Sequence, residues 1–176
     1  SSSCCKAIEE ASVIKTKSVQ ELALNAFLIA LATITAAWTF EIVGGYKPCP
    51  LCLQQRWAYY FSLPILGLIW LRMITLQADL DVVRWGLIAV TIAMTVNAGM
   101  GFYHSGVEWG WFEGPSACSS GAGLSGGLPD LSKATVINCS EVQWRMLGLS
   151  FAGWNMVISA IIAGIAAIGV KRTYTK

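Results

Sequence analysis

The chain has 176 residues, 55% of them hydrophobic and 12% charged, with a mean hydropathy of +0.58. Those proportions exclude an ordinary soluble domain and point to a protein of the bilayer. A net charge of +2, scattered along the chain, excludes the dense basic patch on which nucleic-acid binding depends.

The apolar residues fall into four blocks rather than one-sided helical or alternating patterns, and such blocks are membrane spans. The first, 22–43, is almost purely apolar. At about 1.5 Å of rise per residue it covers about 30 Å, the thickness of the hydrocarbon core. It is too long for a secretory h-region and no small-residue cleavage site follows it, so it is expected to be a retained anchor. The second apolar run, Trp57 to Leu71, is short and reaches spanning length only if its helix begins near Cys49 or Cys52, giving a span over 50–71. The third span is expected at 85–103 and the fourth at 149–170. Backbone polar groups must be satisfied inside lipid, so each span is a helix. The expected fold is an all-α membrane protein, one four-helix transmembrane bundle over 1–176, with loops at 44–49 and 104–148 on the same side. Trp38, Trp57, Tyr59, Tyr60, Trp70, Trp85, Trp109, Trp111 and Trp154 fall near span ends, where amphipathic rings favour the headgroup layer.

Cations set the orientation. Lys6, Lys15, Lys17, Arg72, Arg84, Lys171, Arg172 and Lys176 share the side of the termini, against Lys47, Arg56, Lys133 and Arg145 on the other. This bias places both termini in the cytoplasm and both loops outside. The six cysteines then divide by side. Cys4 and Cys5 face the reducing cytoplasm and receive no role; Cys49, Cys52, Cys118 and Cys139 face the side on which disulfides persist.

Cys49-Pro50-Leu51-Cys52 would close a loop too short to remove much chain entropy, so a redox pair is favoured over a structural link. A Cys52 in the first turn of a helix sits at the positive end of the macrodipole, with Arg56 one turn away, and both lower a thiol pKa. Arg56 has a simpler alternative role as a snorkelling headgroup anchor. Cys118 and Cys139 are separated by a stretch rich in glycine and serine. Their spacing suits a structural staple as well as a reactive disulfide, but that composition cannot build a core and is expected to leave both sulfurs approachable. Two outward disulfides of this kind suggest a relay. Only one cysteine pair is close, so no metal site is expected. His104 is the single histidine, at a helix end where an interfacial hydrogen-bonding role is usual.

Three stretches together, KPCPLCLQQR (47–56), YHSGVEWGWFEGPSAC (103–118) and CSEVQWRMLGLSFAGWN (139–155), resemble the bacterial disulfide bond formation protein B family, DsbB. The resemblance extends from the first span to the fourth. It implies an inner-membrane, multi-pass enzyme that reoxidises a periplasmic thioredoxin-fold oxidase of the DsbA type with quinone as acceptor, ubiquinone in preference to menaquinone. It further implies that Cys49 and Cys52 are the membrane-proximal pair, with Cys52 facing the quinone. Arg56 matches the arginine beside the quinone ring, and His104 lies near a histidine of the same site. Cys118 and Cys139 correspond to the loop pair that reacts with the partner, Cys118 being the site of the mixed disulfide. Two alternatives stand beside this reading: a relative dedicated to another partner, and a non-catalytic scaffold whose loops are merely stapled.

Overall fold

The computed structural model describes residues 2–75, 79–115, 139, 140, 142 and 144–174, with side chains from residue 16 onward. Its elements are α1 (Ser2–Ile42), α2 (Pro50–Ile74), α3 (Leu80–Glu108), a two-stranded hairpin of β1 (Arg145–Met146) and β2 (Leu149–Ser150), and α4 (Phe151–Tyr174). Four of the helical segments, Thr16–Ile42, Pro50–Ile74, Leu80–Glu108 and Phe151–Tyr174, are long and apolar enough to cross a membrane.

The helices pack into one bundle, with the most extensive contact between α3 and α4. On α1 the buried stripe is Val19, Ala23, Ala26, Ala30 and Ile34, a spacing of three and four residues that puts small side chains on one face. Small residues let helix backbones approach where lipid removes any hydrophobic drive to associate. The same device recurs between α3 and α4, where a Cβ on Gly101 would lie 2.9 Å from the Met156 amide nitrogen. Larger side chains such as Leu66, Met73, Leu87, Met94 and Ile162 fill the centre. Leu28, Leu31, Leu68, Val82, Ile92, Val96 and Ile161 are exposed on the outside of the helices. A bundle apolar on its outer surface as well as its core is built for lipid.

The four expected spans are all present, but their ends differ from the hydropathy reading. The third helix does not stop at 103: it continues to Glu108, so His104 lies inside a helix rather than at the start of a loop. Polar residues in that last turn lower the hydropathy of the sequence window, yet they face the bundle and are buried. Gly110, with φ +73, then turns the chain out of the helix, and the Trp111 amide donates to the Gly106 carbonyl at 2.8 Å. The hairpin before α4 was also unforeseen. It turns through Leu147 (φ 53) and Gly148 (φ 84), the positive-φ pair a two-residue β-turn needs.

Candidate functional site

The end of the bundle where α2 begins and α3 ends holds the residues singled out by the sequence. Cys49 is the N-cap of α2: its backbone is extended, Pro50 occupies the first helical position, and its sulfur accepts from the Cys52 amide at 3.2 Å. Sulfur here takes the place of the oxygen that Ser or Asp normally supplies to an unpaired first-turn N–H. That geometry brings the two thiols together, 2.8 Å between sulfurs, both unoxidised.

His104 from α3 places Nε2 3.6 Å from Cys49 Sγ. Its other nitrogen, Nδ1, meets the Gln55 side-chain nitrogen at 3.2 Å. The direction of that bond is set further away. Asn155 Nδ2 donates to Gln55 Oε1 at 2.9 Å, which makes the far end of Gln55 the donor. Asn155 Oδ1 in turn accepts from Tyr59 at 2.8 Å and from Asn97 at 3.3 Å. This chain therefore leaves Nδ1 as an acceptor and puts the imidazole hydrogen on Nε2, facing Cys49. Donors now converge on the Cys49 sulfur. Its pKa is brought down to about 4, chiefly by the hydrogen bond from the Cys52 thiol and, against the opposing effect of burial, by His104. The helix-dipole argument from sequence put the anion on Cys52; the capping geometry makes Cys49 the acceptor instead.

Arg56 reaches to α1. It forms an ion pair with Glu41 and stands over the Trp38 ring at 5.3 Å, with only 11% of its side chain exposed. A freely snorkelling headgroup anchor would not be so held. Glu108, one turn beyond His104, has Oε1 3.9 Å from His104 Nε2, a side chain 6% exposed, and an Oε2 with no hydrogen-bond partner.

Of these groups, all but Trp38 and Asn97 border one cavity of about 340 Å³, a size within the range of small-molecule sites. Cys49, Cys52, Arg56, His104 and Cys139 all line it. Cys139 is 2% exposed, disulfide-bonded, and buried in one cluster with Cys49, Leu51 and Val107. Cys118 lies outside the described residues, as does the glycine-rich stretch after it. An aromatic group of Phe40, Tyr46, Trp144 and Phe151, with Trp144 stacked on Phe151 at 4.8 Å, forms an apolar wall.

Metal binding is a further capacity of such a site, since Cys49 Sγ, Cys52 Sγ and a His104 nitrogen lie within 4.8 Å of one another. The sulfur spacing argues against it. Two thiolates on one tetrahedral zinc ion stand about 3.8 Å apart, given Zn–S bonds of about 2.3 Å. Sulfurs 2.8 Å apart are placed to share a proton or to join.

Sequence reasoning missed Glu41, Gln55, Glu108 and Asn155. Two of these carried a usable sign, because an ionisable residue inside an apolar span is a functional candidate by default. Glu41 stands in the last turn of α1 and Glu108 one turn from the single histidine.

The family model described as disulfide bond formation protein DsbB matches residues 19–169. A disulfide bond formation protein B of Dechloromonas aromatica is 34% identical, over 80% of this chain and 83% of its own length. That of Marinobacter nauticus is 27% identical, over 85% and 90%. An uncharacterised protein of Rickettsia prowazekii is 24% identical over 83% and 84%. No solved structure matches. The chain belongs to the DsbB family of multi-pass membrane proteins of disulfide bond formation.

Proposed function

We propose that this DsbB-family chain is a thiol:quinone oxidoreductase that reoxidises a periplasmic thioredoxin-fold oxidase of the DsbA type. Electrons pass from the partner to Cys118/Cys139, then to Cys49/Cys52, and then to quinone. The observation that carries the reading is the burial of Cys139 against Cys49, at the edge of a cavity that Cys52 and Arg56 also line.

A fit to a quinone ring rests on the chain's own features: an apolar wall from Phe40, Phe151 and Ile158, and a few polar and charged groups, Arg56 and His104 among them, lining the same cavity. Quinone, when bound, accepts two electrons and two protons. Arg56 and Cys52 border the space for it, and the guanidinium offers charge stabilisation to a reduced oxygen there.

The thiol chemistry follows from the sulfur positions. With Cys49 and Cys52 oxidised and the loop pair reduced, a Cys139 thiolate attacks Cys49 Sγ, the Cys49–Cys52 bond breaks, and Cys52 leaves as thiolate. Cys118 then attacks Cys139, forming the loop disulfide and freeing Cys49. His104 Nε2–H and the Cys52 amide stabilise the charge that returns to Cys49. The loop pair is oxidised by two electrons and the membrane pair reduced by two. Placement in the bacterial inner membrane, with both termini cytoplasmic, is part of the same proposal.

Paired double variants test it. In Cys118→Ser/Cys139→Ser, the Cys49/Cys52 pair is still oxidised by quinone while turnover of the partner collapses. In Cys49→Ser/Cys52→Ser, the loop disulfide oxidises one equivalent of partner and stops. Multiple turnover in the second variant overturns the relay.

A further inference from the structure

The proton that binds the two thiols together must leave before a disulfide can form. The Cys52 amide and His104 Nε2–H both point at Cys49 Sγ and favour the anion there, which leaves the proton shared across the 2.8 Å between sulfurs to Cys52. The groups bordering the cavity decide where it can go. Among the described ones, α1 supplies Glu41, already paired with Arg56 of α2. The first loop supplies Lys47, a cation, and Tyr46; Tyr59 of α2 donates to Asn155. Strand β2 and helix α4 face the cavity with the neutral Ser150 and Asn155 respectively. His104 is the obvious base by residue type, but Nε2 carries its hydrogen and Nδ1 is met by the Gln55 donor. It can donate to sulfur; it cannot accept without breaking the Gln55–Asn155 chain. That leaves Glu108, buried, 3.9 Å from His104 Nε2, with Oε2 unpartnered. An unsatisfied buried carboxylate oxygen costs stability, and is kept where it has work to do.

We propose that Glu108 is the proton-holding residue of the site, taking the proton shared by Cys49 and Cys52 as the sulfurs are oxidised, while His104 serves as a fixed hydrogen-bond donor. The inference rests on the reading of Cys49/Cys52 as a pair oxidised by quinone. The Cys52 S–H bond breaks and one S–S bond forms between Cys52 and the Cys49 thiolate. Two electrons pass to the oxidant, the Cys52 proton follows by way of Glu108, and the second proton the oxidant takes up comes from solvent.

Diamide, a small thiol oxidant, tests this without quinone: it takes the same two electrons and two protons and becomes a hydrazine. The full chain, reduced and quinone-free in detergent, is mixed with diamide and the loss of maleimide-reactive thiols is followed against pH. Wild type is expected to oxidise at a rate nearly flat between about pH 6 and 8, its thiolate already formed and its base built in. Glu108→Gln is expected to be slower on the order of a hundredfold at the acid end, the usual contribution of a positioned base. Its rate should climb about tenfold per pH unit as hydroxide substitutes, and Glu108→Asp should recover part of the rate and a flatter profile. A loss that is uniform with pH, or an unchanged rate in Glu108→Gln, overturns the proposal. The quinone reading fails separately, if wild type is oxidised by diamide but not by quinone.

Discussion

The Glu41–Arg56 pair offers a test whose size follows from burial. The side chains are 29% and 11% exposed respectively, so this is not an exposed surface pair, for which about 0–1 kcal/mol would be expected. Glu41→Gln strands the guanidinium with no counter-charge, which for a buried pair costs about 3–5 kcal/mol; the partial exposure of Glu41 places the loss near the lower end, about 3 kcal/mol. Arg56→Gln leaves a carboxylate that can reach water but also removes the contact with the Trp38 ring, worth about 0.5–2 kcal/mol, so a similar total is expected. In Glu41→Gln/Arg56→Gln neither charge is stranded. The double variant should therefore lose about 2 kcal/mol less than the sum of the two single losses. Unfolding of the purified chain in mixed micelles by increasing sodium dodecyl sulfate, followed by tryptophan fluorescence, gives the four free energies. A coupling below about 0.5 kcal/mol would refute the argument, because the pair would then behave as a surface contact.

Other outcomes follow from the same geometry. Arg56→Ala should raise the KM for quinone by about tenfold to a hundredfold, the loss of a charge-assisted hydrogen bond, with Arg56→Lys recovering only part; unchanged kinetics would reduce Arg56 to a structural residue. Gly101→Ala places a methyl 2.9 Å from the Met156 amide nitrogen, where backbone must shift, and should destabilise the α3–α4 contact by about 1–3 kcal/mol in the same unfolding assay; an unchanged midpoint would show the helices to be further apart. Because the folded value for Cys49 is lowered to about 4, thiolate stabilisation in the reduced protein is complete above the ordinary thiol value and is lost as pH falls through about 4. Iodoacetamide should accordingly label Cys49 at about pH 5–6, where an ordinary thiol is inert; labelling that rises only near about pH 8.5 would contradict the capping geometry.

The parts of the fold that the sequence revealed are those with a local cause. Uninterrupted apolar blocks identify the spans because lipid tolerates little else, and Cys49-Pro50 marks the start of α2 because a missing N–H costs nothing there. The end of α3 was hidden because its last turn is polar and faces inward, which a hydropathy window cannot distinguish from a loop. The hairpin strands are two residues each, too short to show a period. At the site, the cysteines and Arg56 could be read from spacing within one helical turn. The bonds that give them their chemistry cross between helices: Arg56 to Glu41, Cys49 to His104, and Gln55 to Asn155 at a separation of 100 residues. No periodicity within a single element records such pairings.

Quinone reduction by the purified chain, with a reduced thioredoxin-fold oxidase of the DsbA type as electron donor, is the most direct measurement of the central claim. Loss of quinone ultraviolet absorbance should proceed for many turnovers in wild type, stop in Cys49→Ser/Cys52→Ser, and yield one quinol for each partner disulfide formed. A wild-type chain that oxidises the partner without consuming quinone, or a Cys49→Ser/Cys52→Ser chain that still reduces it catalytically, would contradict the account.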